Sequence, residues 1–146
     1  MKKILKLITI SLLFFAVACS NEKTYGINEK IYVKNSLGEY GIEIIDVETK
    51  KSNKDEDIII VTYELENRSI NSPLSKDEWN FMAYNKKGDV LDNYLILSQN
   101  GKKASLGETI EMKIGYYYDG SDKYLKLKYF DDYKAADDNA IFELEW

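Results

Sequence analysis

Asp57-Ile58-Ile59-Ile60-Val61-Thr62-Tyr63-Glu64-Leu65-Glu66-Asn67 decides the fold class. Ile59, Val61, Tyr63 and Leu65 recur with a period of two, which places them on one face of a strand. The other face begins apolar with Ile58 and Ile60 and ends polar with Thr62, Glu64 and Glu66. A strand covered on both sides at one end only is expected in the middle of a sheet.

The same period extends in both directions. Upstream, Ile31 and Val33 alternate with Lys30, Tyr32 and Lys34, and Tyr40, Ile42 and Ile44 alternate with Glu39, Gly41 and Glu43. Ile45 and Val47 then change phase around Asp46, which predicts a bulge. Downstream, Trp79, Phe81 and Ala83 alternate, and Asn85-Lys86-Lys87-Gly88 has the chemistry of a tight turn. Ile110, Met112, Ile114, Tyr116 and Tyr118 form another run, followed across Asp119-Gly120-Ser121-Asp122 by Leu125, Leu127 and Tyr129, a pair that reads as a hairpin. Phe142, Leu144 and Trp146 supply the last strand. Residues 75–79 and 133–139 have room for short helical turns, and no segment after residue 26 carries a 3.6-residue period. Seven or eight short strands in one small domain predict an all-β antiparallel sandwich or barrel.

The first 18 residues have a different character. Lys2, Lys3 and Lys6 precede an apolar run ending in Ala16-Val17-Ala18, immediately before Cys19, the single cysteine. A membrane-spanning helix needs about 20 apolar residues, and this run is shorter and ends in the small residues of a cleavage site. The segment resembles a bacterial lipoprotein signal, with Ala16 where leucine is usual. The resemblance implies removal of residues 1–18, acylation of Cys19 (palmitate among the acyl groups) and an extracytoplasmic, membrane-anchored protein; a secreted protein with ordinary cleavage and a free Cys19 is the alternative. In a host with two membranes, Ser20 after the cysteine implies the outer one. Residues 19–26 would form a short tether, and residues 27–146 the domain.

Loss of residues 1–18 removes three of twenty basic side chains and none of the 25 acids, moving the net charge from −5 to −8. Such a balance disfavours nucleic acid and anionic lipid as main partners, because both are bound through clustered Lys and Arg. With one cysteine there is no intrachain disulfide, so stability rests on packing.

The run of residues 58–69, with Phe81, Lys87-Gly88, Leu106-Gly107-Glu108-Thr109 and Leu125-Lys126-Leu127, resembles the telokin-like, immunoglobulin-like domains of bacterial secreted lipoproteins, a family of unknown function. Ser105-Leu106-Gly107-Glu108 stands where that family has a leucine-proline-glycine-glutamate corner. The resemblance covers roughly residues 27–130 and implies an immunoglobulin-like sandwich without implying an activity.

The chain has no histidine, which removes Ser-His-Asp and Cys-His nucleophile systems and zinc sites built on His and Cys. Phosphate-cradling glycine loops are absent as well. No catalytic residue, cofactor or metal site is therefore expected. Asp119-Gly120-Ser121-Asp122, Asp131-Asp132 and Asp137-Asp138-Asn139 concentrate oxygen ligands but lack EF-hand spacing, and read as turns and solvated acidic loops. Twelve tyrosines are mostly explained by strand propensity. Tyr116, Tyr118 and Tyr129 read as inward or edge residues, and Trp79 and Trp146 as core or rim anchors. Tyr117 and Tyr124 fall on the opposite phase, where flat rings with a polar tip suit recognition of a protein or glycan. These features favour a non-enzymatic binding module of the cell envelope; a small-ligand or glycan receptor and an inhibitor or immunity lipoprotein are the alternatives.

Overall fold

The computed structural model describes residues 23–119, 122–132 and 140–146. Cys19, residues 1–18, Tyr133 and Asp137-Asp138-Asn139 lie outside the described residues. Among them, nine strands form two sheets. These are β1 (Thr24–Tyr25), β2 (Lys30–Asn35), β3 (Gly38–Lys51), β4 (Asp57–Asn67), β5 (Phe81–Tyr84), β6 (Asn93–Tyr94), β7 (Thr109–Tyr117), β8 (Tyr124–Tyr129) and β9 (Ala140–Glu145). One sheet has the order β1-β9-β8-β5 and the other β2-β3-β4-β7-β6. The all-β fold expected from the period-two pattern is present, and its two separate sheets make it a sandwich rather than a barrel. It exceeds the expected seven or eight strands through the two-residue strands β1 and β6, too short to register as a pattern.

β4 is the middle strand of the five-stranded sheet. Ile59, Val61, Tyr63 and Leu65 enter the core, where Ile42, Ile44, Met112, Tyr116, Phe81, Leu125, Leu127, Phe142 and Leu144 join them. Ile58 and Ile60 are also buried, at 1% and 2% exposure, but on the outer side. The β3–β4 register shifts between Ile44 and Asp46, so Ile45 is the bulged residue and the face of β3 reverses as its sequence predicts.

Three expectations are corrected. β7 and β8 are not a hairpin. They belong to opposite sheets, because the segment from Tyr118 to Lys123 is long enough to cross the roughly 10 Å between packed sheets. Alternation within each strand is the same in either arrangement, so it could not decide between them. Trp79 is not a core or rim anchor: it is 80% exposed, since it sits in a 3-10 turn (Glu78–Asn80) whose rotation breaks the strand phase set by Phe81 and Ala83. Asp77 caps this turn by accepting from the Trp79 N–H. Lastly, the chain joins the sandwich before residue 27, as Thr24 and Tyr25 pair in parallel with Ile141 and Phe142 of β9. Trp146 is half-buried against Tyr118, with ring centroids 6.3 Å apart.

Both ends of the sandwich are tied by polar contacts. At the end where β4 stops, Asn67 is fully buried. Its amide donates to the carbonyls of Ile70 (3.0 Å), Ser72 (3.3 Å) and Ala104 (3.1 Å), and its side-chain oxygen accepts from the Ile70 N–H (2.9 Å). One side chain thus binds two loops to the strand. Nearby, Lys76 and Asp131 are buried together, with Lys76 Nζ 3.8 Å from Asp131 and 3.2 Å from the exposed Asp132. Asp131 also accepts from Asn35 Nδ2 (3.2 Å) and the Tyr40 hydroxyl. At the far end, Asn85 closes the β5–β6 turn, its side-chain oxygen accepting from the N–H groups of Lys87 and Asp89 at 2.9 Å. Gly88 there adopts φ +90°, the left-handed conformation that favours glycine.

Candidate functional site

Strand β8 reads Tyr124-Leu125-Lys126-Leu127-Lys128-Tyr129. Leu125, Leu127 and Tyr129 point into the core, so Tyr124, Lys126 and Lys128 stand on the outer face of the four-stranded sheet. On β5, Phe81 and Ala83 are inward and Tyr84 faces out beside Lys126, its register partner. The turn after β5 adds Lys86 and Lys87, and Ile141 of β9 lies opposite Lys128. These residues line a groove of about 320 Å³.

Its chemistry is local and distinct. Four lysines surround two tyrosines, and among the described residues none of Lys86, Lys87, Lys126 and Lys128 has a carboxylate within ion-pair distance. Ile141 is only 3% exposed although it is outside the core cluster, so it forms an apolar floor along which lysine stems can lie. Burial raises the Tyr124 phenol above its ordinary value, as does the neighbouring Glu143 carboxylate, with which its hydroxyl hydrogen-bonds. The groove can hold an anionic group by charge and a flat apolar or sugar face against tyrosine.

The two tyrosines singled out by phase are not brought together. Tyr124 lines this groove, whereas Tyr117 is on the opposite sheet, edge-on to Tyr94 at 5.6 Å. The separation follows from the crossing between β7 and β8. Beside Tyr94, a second groove is lined by Lys50, Ile60, Leu95, Leu97 and Lys113. A third, between β1 and β9, carries Glu29, Glu143 and Glu145. Among the described residues, no three His, Cys, Asp or Glu side chains are grouped to hold a metal ion. Of the acidic pairs considered from sequence, Asp131 is engaged by Lys76, Tyr40 and Asn35.

Sequence reasoning missed Tyr84 and the four lysines as a group. The signal on β8 was the alternation of Tyr124, Lys126 and Lys128, but its pairing with β5 depends on sheet order.

No family model and no curated protein matches the chain. Three solved structures share its fold. MPT63, a secreted protein from Mycobacterium tuberculosis, superimposes with a TM-score of 0.61 at 11% identity over 87% of this chain and 99% of its own. The yjhA protein from Bacillus subtilis gives 0.57 at 14% identity, over 84% and 100%. The third, ycdA from Bacillus subtilis, assigned as a lipoprotein, gives 0.60 at 16% identity over 80% of this chain and 38% of that one. The chain therefore has the all-β sandwich seen in these bacterial proteins.

Proposed function

We propose that the protein is a lipid-anchored, extracytoplasmic binding module without catalytic activity, related to the telokin-like, immunoglobulin-like lipoprotein domains. The signal-like segment before Cys19 supports the anchor, and two fold neighbours, one secreted and one assigned as a lipoprotein, fit the location. The ligand of this reading is a short acidic saccharide of the envelope or its surroundings, held in the groove between β5 and β8. A single observation carries it: an acidic protein gathers Lys86, Lys87, Lys126 and Lys128 around Tyr84 and Tyr124. The negative charge elsewhere disfavours long polyanions, so a ligand that fits within the groove is preferred.

Titration calorimetry with oligogalacturonate and with neutral maltodextrin of equal length tests this. Oligogalacturonate should bind, weaken as salt rises, and be lost in the Lys126→Glu/Lys128→Glu variant, with the neutral sugar silent. Equal binding of both sugars, or binding of neither, would refute the ligand class.

A further inference from the structure

The parallel β1–β9 pairing fixes the end of the sandwich from which the chain arrives. Thr24 lies beside Ile141, near the start of β9, so residue 23 leaves at the end where β5, β7 and β9 begin and where β2, β4 and β8 finish. Between Cys19 and β1 stand only residues 20–23, which extend over about 14 Å at most. That end carries Trp79, at 80% the most exposed of the large apolar side chains among the described residues. Leu37, in the β2–β3 turn, and Leu106, before β7, are 48% and 53% exposed at the same end. Trp79 precedes β5, three strands across from β1, so it stands about 14 Å to the side of the tether. Lys23, Lys102 and Lys103 stand there with Asp77, Glu78 and Glu108, while Arg68 is paired with Glu39 and Lys76 with Asp131 and Asp132.

We infer that this end of the sandwich docks on the lipid surface, with Trp79, Leu37 and Leu106 seated in the headgroup region. The inference rests on the acylation of Cys19. Tryptophan suits the interface because it has a large apolar body and a polar N–H. The lysines beside Leu106 meet lipid phosphates. The capping box of Asp77 and Asn80 holds the turn beneath Trp79, so the ring is presented without a long flexible loop. Seated this way, the sandwich stands upright and presents the turn that bears Lys86 and Lys87 away from the membrane. Exposed Leu95 and Leu97, on the side of the five-stranded sheet, remain in water.

Trp146 follows β9 at the far end and serves as an internal control. The lipidated protein is reconstituted into phosphatidylcholine–phosphatidylglycerol vesicles containing brominated lipid. The Trp146→Phe variant reports on Trp79 and the Trp79→Phe variant on Trp146. Trp79 emission should move to shorter wavelength and be quenched several-fold more than that of Trp146. Mass spectrometry of Cys19 and vesicle flotation separate the two claims. A lipidated, floating protein whose Trp79 is quenched no more than Trp146 would overturn the docked orientation alone, while an unmodified Cys19 in a protein that does not float would overturn both.

Discussion

Replacing Asn67 with aspartate changes one atom of the side chain and reverses its role. The amide donates to three carbonyls, those of Ile70, Ser72 and Ala104, in a site with no solvent exposure. An ionised carboxylate keeps only the bond from the Ile70 N–H and turns an oxygen toward three others. Each lost hydrogen bond is worth about 1 kcal/mol. Burying the charge can cost no more than taking up a proton instead, which from an ordinary aspartate pKa of about 3.9 amounts to roughly 4 kcal/mol at pH 7. The amide has two N–H groups for the three carbonyls and the protonated acid one O–H, so one donor is lost and Asn67→Asp should cost about 1 kcal/mol near pH 4 and about 5 kcal/mol at pH 7. The sign follows from linkage: the new carboxyl has its folded pKa raised, so stability is retained below its unfolded pKa and falls as pH rises toward the folded one. Urea unfolding followed by tryptophan fluorescence at several pH values measures this, with Asn67→Ala as a pH-independent control. A loss at pH 7 below about 2 kcal/mol, or one equal at pH 4 and pH 7, would refute the role assigned to Asn67.

Burial pushes the phenols of Tyr40, Tyr63, Tyr116 and Tyr129 above their ordinary value of 10.0. Stability should be complete below that value and fall above it by about 1.4 kcal/mol per pH unit for each tyrosine, with their near-ultraviolet tyrosinate absorbance appearing only as the protein unfolds. Lys76→Met removes the cation between Asp131 and Asp132 and should cost about 3 kcal/mol in chemical denaturation; adding Asp131→Asn should recover part of it. Gly38 has φ +147°, and an added Cβ would lie 2.9 Å from Ser69 Oγ and 3.0 Å from the Ser69 carbonyl oxygen, so Gly38→Ala should lose about 2 kcal/mol. Gly88→Ala, with φ +90° and open space around it, should lose only about 1 kcal/mol by the same measurement.

The strands were legible because their burial is written in alternation. Ile58 and Ile60 even announced the central place of β4, and Asp46 the bulge in β3. What alternation does not encode is which strand lies beside which. Tyr116, Leu125 and their neighbours would alternate identically in a hairpin and in a crossing between sheets, and the difference separates Tyr117 from Tyr124. The groove was half legible for the same reason: Tyr124, Lys126 and Lys128 share a phase within β8, but Tyr84, Lys86 and Lys87 join them only through the β5–β8 pairing. Trp79 was misplaced because a single 3-10 turn shifts the phase of the residue it contains, leaving no mark in the spacing to Phe81 and Ala83. Asn67 looked like a strand terminus, and its four bonds to two loops required the loops to be in place.

The strand lengths have a consequence for behaviour in a crowd. Each sheet finishes on one side with a two-residue strand, β1 or β6, and beyond β6 the edge of β7 is engaged by side chains, the Lys113 N–H donating to Gln99 Oε1 and the Glu111 carbonyl accepting from Lys102 Nζ. On the other sides, β5 is four residues long and β2 carries Lys34, whose charge opposes a second copy laid alongside. Chains packed at high density would therefore stay separate rather than knit edge to edge, and the sandwich can be displayed densely without aggregating.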